Sequence, residues 1–325
     1  MTSVNPDVVA AIARLRSEDV LSIRQAALFN RVARGGLVSV RFEIRVLLYL
    51  GVLLLTSGIG LLVVEHHQRI GPLAIAGAIA LAVGACLFWV VREAPPFSWD
   101  EVASPSVAFD YVLLLGLLLL ASDLAYVEAQ FTVLGPGWAH HLLVVGVVYL
   151  VAAYRYDSRT VLGLALTTLG AWRGVSVSLA SHSLGPGDPA ELRVNALALG
   201  ALYVALATLS VRLERKRHFE EVLGNAGLLL LLGALVSAVL AGPSVKAAWL
   251  IALLATAALV MWVSLRLGRS LYFAQGVLTA YVGLVRLLFV PFRLAESGVP
   301  YFVAGLLGLG ALTLIFRAHR RMGER

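Results

Sequence analysis

The chain has 325 residues, of which 60% are hydrophobic and 14% are charged. Ordinary soluble domains are about 45–50% apolar and about 25% charged, so this composition excludes a typical soluble enzyme. The 26 Lys and Arg outnumber the 19 Asp and Glu, but the charges lie between apolar runs rather than on one soluble face. That placement argues against nucleic acid as a partner and predicts a polytopic protein of the lipid bilayer.

The first 45 residues carry seven arginines and lack the early apolar core of a signal peptide. They predict a small cytosolic helical segment. Asn5 precedes a proline and is suited to cap one short helix, and Ser22 is suited to cap a second that ends at Gly35-Gly36. Two such helices bury too little surface to fold alone, so we expect them to pack on the membrane domain or on a partner.

Ten apolar runs follow, and we interpret each as a membrane helix. They cover residues 46–64, 70–91, 107–127, 139–154, 160–181, 192–211, 222–241, 246–265, 270–290 and 299–316. All 11 prolines lie between these runs, in a first turn or just past an end, as helices require. The predicted fold is an all-α polytopic transmembrane helix bundle of about ten spans within residues 46–316, with a basic cytosolic tail at 317–325.

The positions of the basic residues predict the orientation of the bundle. With the N-terminus inside, the inner segments hold 20 of the 26 Lys and Arg and the outer segments hold 6. Positive residues are retained on the cytoplasmic side of a membrane. We therefore expect both termini to be cytoplasmic, in a multi-pass protein of a bacterial inner membrane.

Two stretches near the start resemble a known pattern. They are Val20-Leu21-Ser22-Ile23-Arg24-Gln25-Ala26-Ala27 and, some twenty residues later, Leu48-Tyr49-Leu50-Gly51-Val52-Leu53-Leu54-Leu55. Together they resemble a family of bacterial predicted membrane proteins catalogued as a domain of unknown function, over roughly residues 8–90. The resemblance implies a short cytosolic helical segment before a multi-helix membrane region, and it implies no activity. The sequence departs from the family at Glu65-His66-His67, where relatives tend to have an aromatic residue.

Three ionisable residues lie inside apolar runs: Asp123, Arg173 and Arg286. Each costs about 2.5–3.5 kcal/mol at the centre of a bilayer, so each should have a partner or a purpose. Their positions in three outward-running helices place them at similar depth, about 20–24 Å from the inner ends. We expect Asp123 to pair with one of the arginines. A register-fixing ion pair, snorkelling arginines and a substrate or ion site all remain open interpretations.

Other polar side chains extend this set on the outer side. Trp172 stands beside Arg173 in the sequence, and His140 and His141 begin a predicted span. The whole candidate outer-side polar cluster is Asp123, Arg173, Arg286, His140, His141 and Trp172. Adjacent histidines can bind a metal, but their spacing matches no recognised metal motif, so we predict an interfacial polar belt, with no metal and no cofactor.

The function is not specified by a motif. The sequence contains no phosphate-binding loop, no nucleophile elbow and no paired-histidine zinc motif, so we expect no enzyme. The leading interpretation is an integral membrane protein of unknown biochemical role, a structural or interacting component of a membrane assembly with a membrane-protein partner or a second copy. The alternative is a small-molecule transporter of drug/metabolite-transporter-like architecture, with an unknown ligand. No internal repeat supports that alternative by eye.

Overall fold

The computed structural model describes residues 71–180, 189–241, 247–292 and 299–323, together with shorter stretches within 12–29 and 46–61. The chain divides into two compact units, Met1–Glu65 and His66–Arg325. Every regular element within those ranges is helical. The predicted all-α class is therefore confirmed.

The first unit contains an apolar helix, α1, at Val46–Gly58. Before it, the Ser22 hydroxyl accepts a hydrogen bond from the Gln25 backbone N–H, and the Gln25 side chain accepts one from the Ser22 N–H. This reciprocal capping box lies where the sequence predicts a cap at Ser22. The predicted cap at Asn5 and the predicted end at Gly35-Gly36 lie outside the described residues.

The described part of the second unit contains nine α-helices. In chain order they are α2 Pro72–Glu93, α3 Val107–Phe131, α4 His140–Tyr156, α5 Arg159–Ala180, α6 Pro189–Arg212, α7 Glu220–Leu240, α8 Ala247–Leu267, α9 Ser270–Phe292 and α10 Val299–Gly323. Short 3-10 turns at Gly135–Gly137 and Arg217–Phe219 precede α4 and α7. The nine predicted runs from 70–91 onward correspond to these helices within the described residues, and α10 continues seven residues into the predicted tail.

Six helices among the described residues are long and apolar enough to cross a membrane. They cover Pro72–Glu93, Val107–Phe131, Pro189–Arg212, Arg217–Leu240, Ala247–Leu267 and Tyr301–Arg320. Helices α1 and α4 are apolar but shorter. Within the described ranges the protein is therefore all-helical, with six helices of membrane-spanning length and composition.

Neighbouring helices of the second unit pack as antiparallel pairs. The most extensive contacts join α2 to α3, α4 to α5, α6 to α7, and α8 to α9. In the α6–α7 pair the backbones meet at two glycines, since a methyl group at Gly200 would lie 2.8 Å from the carbonyl oxygen of Gly227. Only glycine permits such an approach. By contrast, Gly233 on α7 faces open space, so it has no such packing role.

Two buried tyrosines form hydrogen bonds between neighbouring helix pairs. Tyr149 on α4 donates a hydrogen bond to the carbonyl oxygen of Leu117 on α3 at 3.0 Å. Tyr203 on α6 donates to the carbonyl oxygen of Leu166 on α5, also at 3.0 Å. Each hydroxyl is thus satisfied inside an apolar core. These bonds set the positions of α4 and α6, whose facing sides form the walls of the candidate site.

Candidate functional site

A cavity of about 990 Å³ lies between the α4–α5 pair and the α6–α7 pair. We call it the groove. Its walls are mostly apolar side chains of α4, α5 and α6. Leu223 of α7 and Phe97 also line it. Val151 and Leu202 line it and are 63% and 52% exposed, so the groove opens sideways on the surface of the helix bundle.

The groove is long and has polar side chains near both ends. Asn195 and Leu206, which line it on α6, are 11 residues apart and therefore about 16 Å apart along the helix axis. Arg173 lies beside Asn195 at one end, and Arg155 lies at the other. An apolar wall of this length with a cation near each end suits an elongated, partly polar molecule.

At the Arg173 end, the polar groups are mostly hydrogen-bond donors. The Arg173 guanidinium donates to the Asn195 side-chain oxygen and lies 5.6 Å from the centroid of the Trp172 ring. The Trp172 indole nitrogen is buried and has no hydrogen-bond partner among the described residues. No Asp or Glu is among the described residues that line the groove. This end of the groove is therefore positively charged, and the Trp172 N–H is a hydrogen-bond donor without a described acceptor.

At the opposite end, Arg155 is already engaged by the protein. Its Nη1 donates to the carbonyl oxygen of Pro95 at 3.0 Å, and its guanidinium lies 5.2 Å from the centroid of the Tyr156 ring. The two cations of the groove therefore differ in availability, because Arg155 is half-buried and Arg173 is exposed.

Directly after α4, a buried polar cluster joins three connecting segments. The Asp157 carboxylate accepts from Lys216 Nζ at 3.1 Å, from His218 Nε2 and from the Val102 backbone N–H. The side chains of Asp157, Lys216 and His218 are 3%, 1% and 6% exposed. In addition, the Lys216 N–H donates to the carbonyl oxygen of Trp99 at 2.8 Å. We call Asp157, Lys216 and His218 the Asp157 cluster, and Asp157 lies two residues after Arg155 in the chain.

A second polar cluster holds the start of α7 against α9. Arg269 forms ion pairs with Glu220 at 2.6 Å and with Glu221 at 3.6 Å. The Tyr272 hydroxyl donates to the Glu220 carboxylate at 2.9 Å. Gly224 leaves the room that the Tyr272 hydroxyl occupies. These contacts satisfy the carboxylate of the largely buried Glu220, and they have a structural role.

Residues 13–162 match the model of the family described as "Predicted membrane protein (DUF2157)". The match runs from the N-terminal segment into the first turn of α5 and covers somewhat less than half of the chain. It confirms the predicted resemblance to a family of membrane proteins of unknown function. It includes Arg155 and Asp157, whereas Arg173, Asn195 and Lys216 lie beyond it. Neither a curated protein nor a solved structure shows significant similarity to the chain.

The structure brings together two of the residues that the sequence predicted for a site. Trp172 and Arg173 both line the groove. Asp123 on α3 does not, and within the described residues it forms no ion pair with Arg173 or with Arg286 on α9. One carboxylate oxygen of Asp123 is buried and accepts no hydrogen bond from the described part of the protein. The partner of Arg173 is the Asn195 amide in place of the expected carboxylate.

The two predicted histidines are the first two residues of α4, just after the turn at Gly135–Gly137. His141 Nε2 lies 3.9 Å from the Glu128 carboxylate, and His140 Nδ1 lies 2.8 Å from the carbonyl oxygen of Gly137. Glu128 also accepts from the backbone N–H groups of Leu134 and Gly135, each at 2.9 Å. Glu128 thus organises this turn. Within the described ranges, no three His, Cys, Asp or Glu side chains are grouped to hold a metal ion.

Sequence reasoning missed the Asp157 cluster and Asn195. It treated Lys216 only as one of the basic residues that determine orientation. A signal was available, because Lys216 is one of only two lysines in an arginine-rich chain. Asn195 is likewise an uncharged amide in a long apolar run, where a polar group usually has a packing or binding reason.

Proposed function

We propose that this chain is a protein of a bacterial inner membrane whose ten helices lie in the bilayer with both termini cytoplasmic, and that its groove binds an amphiphilic small molecule. The proposed role is binding without catalysis. The described lining offers guanidinium, amide and indole N–H groups to a ligand, and it has no carboxylate, thiol or imidazole.

Contacts between connecting segments support the alternation of helix direction on which the proposed orientation depends. The charge distribution assigns the segments that contain Val102, Asp157 and Lys216 to the cytoplasmic side, and these three residues meet in the Asp157 cluster. Arg269, in another segment assigned to that side, pairs with Glu220 at the start of α7. Helices that alternate in direction bring these ends to one face of the bundle.

Helix lengths support the proposed number of spans. Helices α5 and α9 have 22 and 23 residues, and at about 1.5 Å per residue each exceeds the roughly 30 Å of a bilayer core. Each has one arginine inside an otherwise largely apolar run, Arg173 or Arg286. The 17 residues of α4 span about 25 Å, which slight thinning of the bilayer or snorkelling of flanking residues accommodates.

The groove is the observation that carries the proposed function. Its volume of about 990 Å³ lies at the upper end of the roughly 300–1,000 Å³ of small-molecule sites. The exposed lining residues Val151 and Leu202 make it accessible from the bilayer. An amphiphile matches this site because its apolar chain covers the apolar walls while its polar group meets the donors at one end.

A transporter is the second candidate, and one specific observation favours it. Arg173 and Arg155 place a cation near each end of the groove, which gives a bound polar group a favourable position near either side of the membrane. Transport predicts movement of the ligand between leaflets of a protein-containing vesicle. A binding or assembly role predicts binding without such movement.

Photo-crosslinking tests the binding function. The purified protein in lipid nanodiscs is incubated with a photoreactive fatty acid, and we expect crosslinks to peptides of α4, α5 and α6. Leu202→Trp fills the groove and should remove these crosslinks. Leu229→Trp is the control, since Leu229 on α7 is 61% exposed and does not line the groove. Equal crosslinking of both variants would refute the proposed function.

A further inference from the structure

We infer that the groove selects an anionic amphiphile whose acidic head group is held by Arg173, Asn195 and Trp172; this inference rests on the proposed binding function. The ligand class is a single-chain molecule with a carboxylate or phosphate head. Its chain runs along α6 toward Arg155.

The charge of Arg173 is the first argument. Within the described structure its partners are the neutral Asn195 amide and the face of the Trp172 ring. No carboxylate lines the groove in that part of the chain. A guanidinium inside a membrane requires compensation, and an anion bound in the groove provides it.

The depth of Arg173 is the second argument. It lies seven residues before the end of α5, and Asn195 lies six residues after the start of α6, so both are about 10 Å from those helix ends. Helical side chains tilt toward the N-terminus of their helix, which directs Arg173 away from that end of α5. Snorkelling to the nearest head groups is therefore disfavoured. An anion that enters the groove reaches the guanidinium directly.

The hydrogen-bonding chemistry is the third argument. Arg173 and the amide nitrogen of Asn195 are donors, and the buried Trp172 N–H is a donor with no described partner. The one acceptor among them, Asn195 Oδ1, is occupied by Arg173. A head group that only accepts hydrogen bonds complements this set, and carboxylate and phosphate oxygens form charge-assisted bonds with Arg.

The state of Arg155 gives the orientation of the ligand. Arg155 already donates to the Pro95 carbonyl oxygen and lies against the Tyr156 ring, so it is less available than Arg173 to bind an anion. The head group therefore lies at the Arg173 end. The apolar chain extends over about 16 Å of wall between Asn195 and Leu206.

The test compares ligands with the same chain and different heads. The full-length protein in phosphatidylcholine nanodiscs is titrated with dodecanoate, dodecyl phosphate, dodecanol and dodecyltrimethylammonium, each competing with the photoreactive fatty acid. We expect the two anions to compete at least about tenfold better than the alcohol, and the cation to compete worst. Inorganic phosphate serves as the head group without a chain and should not compete.

Variants of the head-group site make the test specific. Arg173→Gln should weaken both anions by about tenfold and leave dodecanol unchanged, whereas Arg173→Lys should retain most of the preference. Trp172→Phe should weaken the anions less, because it removes one donor and keeps the ring. Arg193→Gln is the control, since Arg193 lies on α6 near Asn195 but does not line the groove as described. A thermal unfolding curve for each variant verifies folding.

The outcomes separate the two proposals. Equal competition by dodecanol and dodecanoate, with Arg173→Gln affecting both alike, would overturn the head-group inference while groove binding stands. If inorganic phosphate competes and the two anionic amphiphiles do not, the groove has a site for free anions. That result would overturn the proposal that the ligand is an amphiphile. Crosslinking that Leu202→Trp leaves unchanged would refute groove binding and the inference together.

Discussion

Lys216 and Asp157 form a buried ion pair, with 3.1 Å between Nζ and Oδ1, that joins the segment after α6 to the end of α4. Both residues have left-handed backbones, with φ of 49° and 59°, a conformation that costs energy in residues other than glycine. The pair persists because its side chains are enclosed and its geometry is favourable. This pair therefore joins the segments that follow α4 and α6, two of the helices that form the walls of the groove.

Asp157→Asn should destabilise the protein strongly. The change leaves the Lys216 charge buried without its carboxylate, which costs about 3–5 kcal/mol. Combining it with Lys216→Met removes both charges and should recover part of the loss. The measurement is the free energy of unfolding in detergent. Arg159→Gln is the control, because its ion pair with Glu101 is largely exposed, and it should cost at most about 1 kcal/mol. Equal losses for Asp157→Asn and Arg159→Gln would contradict the role of the buried pair.

Gly200→Ala should disrupt the α6–α7 pair. The added methyl group would lie 2.8 Å from the Gly227 carbonyl oxygen and 2.9 Å from the Leu231 backbone nitrogen, so the backbones must separate. Overpacking of this kind costs about 1–3 kcal/mol. Gly233→Ala on α7 meets open space and should be neutral, or stabilising by up to about 1 kcal/mol through helix propensity. Thermal unfolding of both variants compares the two positions. A Tm for Gly233→Ala below that of Gly200→Ala would argue against the close α6–α7 contact at Gly200.

Tyr272→Phe should lower stability while retaining the packing of the ring. The hydroxyl donates to the Glu220 carboxylate at 2.9 Å, and its removal leaves a largely buried carboxylate with one partner fewer. The expected cost is about 1–3 kcal/mol. Tyr281→Phe is the matched control, because the Tyr281 hydroxyl makes only a 3.4 Å contact with the Ala304 carbonyl oxygen. Equal losses in the free energy of unfolding for both variants would contradict the role of the Tyr272 hydroxyl in stabilising the Glu220 carboxylate.

Reporter fusions test the orientation. With the segment 212–219 in the cytoplasm, alkaline phosphatase fused after Arg217 should be inactive, because the enzyme folds only outside. A fusion after Gly137, in the turn before α4, should be active. The reverse pattern would overturn the proposed orientation. Activity at both positions would place them on the same side of the membrane, which contradicts three crossings by α4, α5 and α6 between them.

Helix positions could be predicted from the sequence because the determinants are local. Each apolar run is bounded by prolines, glycines or charges, and these residues end helices wherever the rest of the chain lies. The predicted run at 270–290 corresponds to Ser270–Phe292, although here Pro291 lies in the last turn of the helix and not beyond its end as predicted. The continuation of α10 to Gly323 was not predicted, since the basic residues after 316 are polar but remain good helix formers.

Half of the candidate site could be predicted in the same way. Trp172 and Arg173 attract attention because an arginine in an apolar run is costly wherever it lies. Their partner could not be predicted. Equal depth suggested Asp123, but depth specifies a height along a helix and not the neighbouring helix that it faces. In the structure α3 packs mainly on α2, while α5 packs on α4, so Asp123 and Arg173 lie in different pairs.

By itself, the sequence determined an all-helical membrane protein, the approximate helix bounds and two residues of the groove, because apolar runs and chain breakers act over a few residues. Only the tertiary structure decided which of those helices are neighbours. Asp157 meets Val102 and His218 across 55 and 61 residues of sequence, and Tyr203 meets Leu166 across 37. Such contacts depend on the packing of whole helices, in which glycine pairs and buried hydroxyl groups determine the faces that meet. The groove exists because α4, α5 and α6 leave space between their contacts, and no local pattern in the sequence encodes that space.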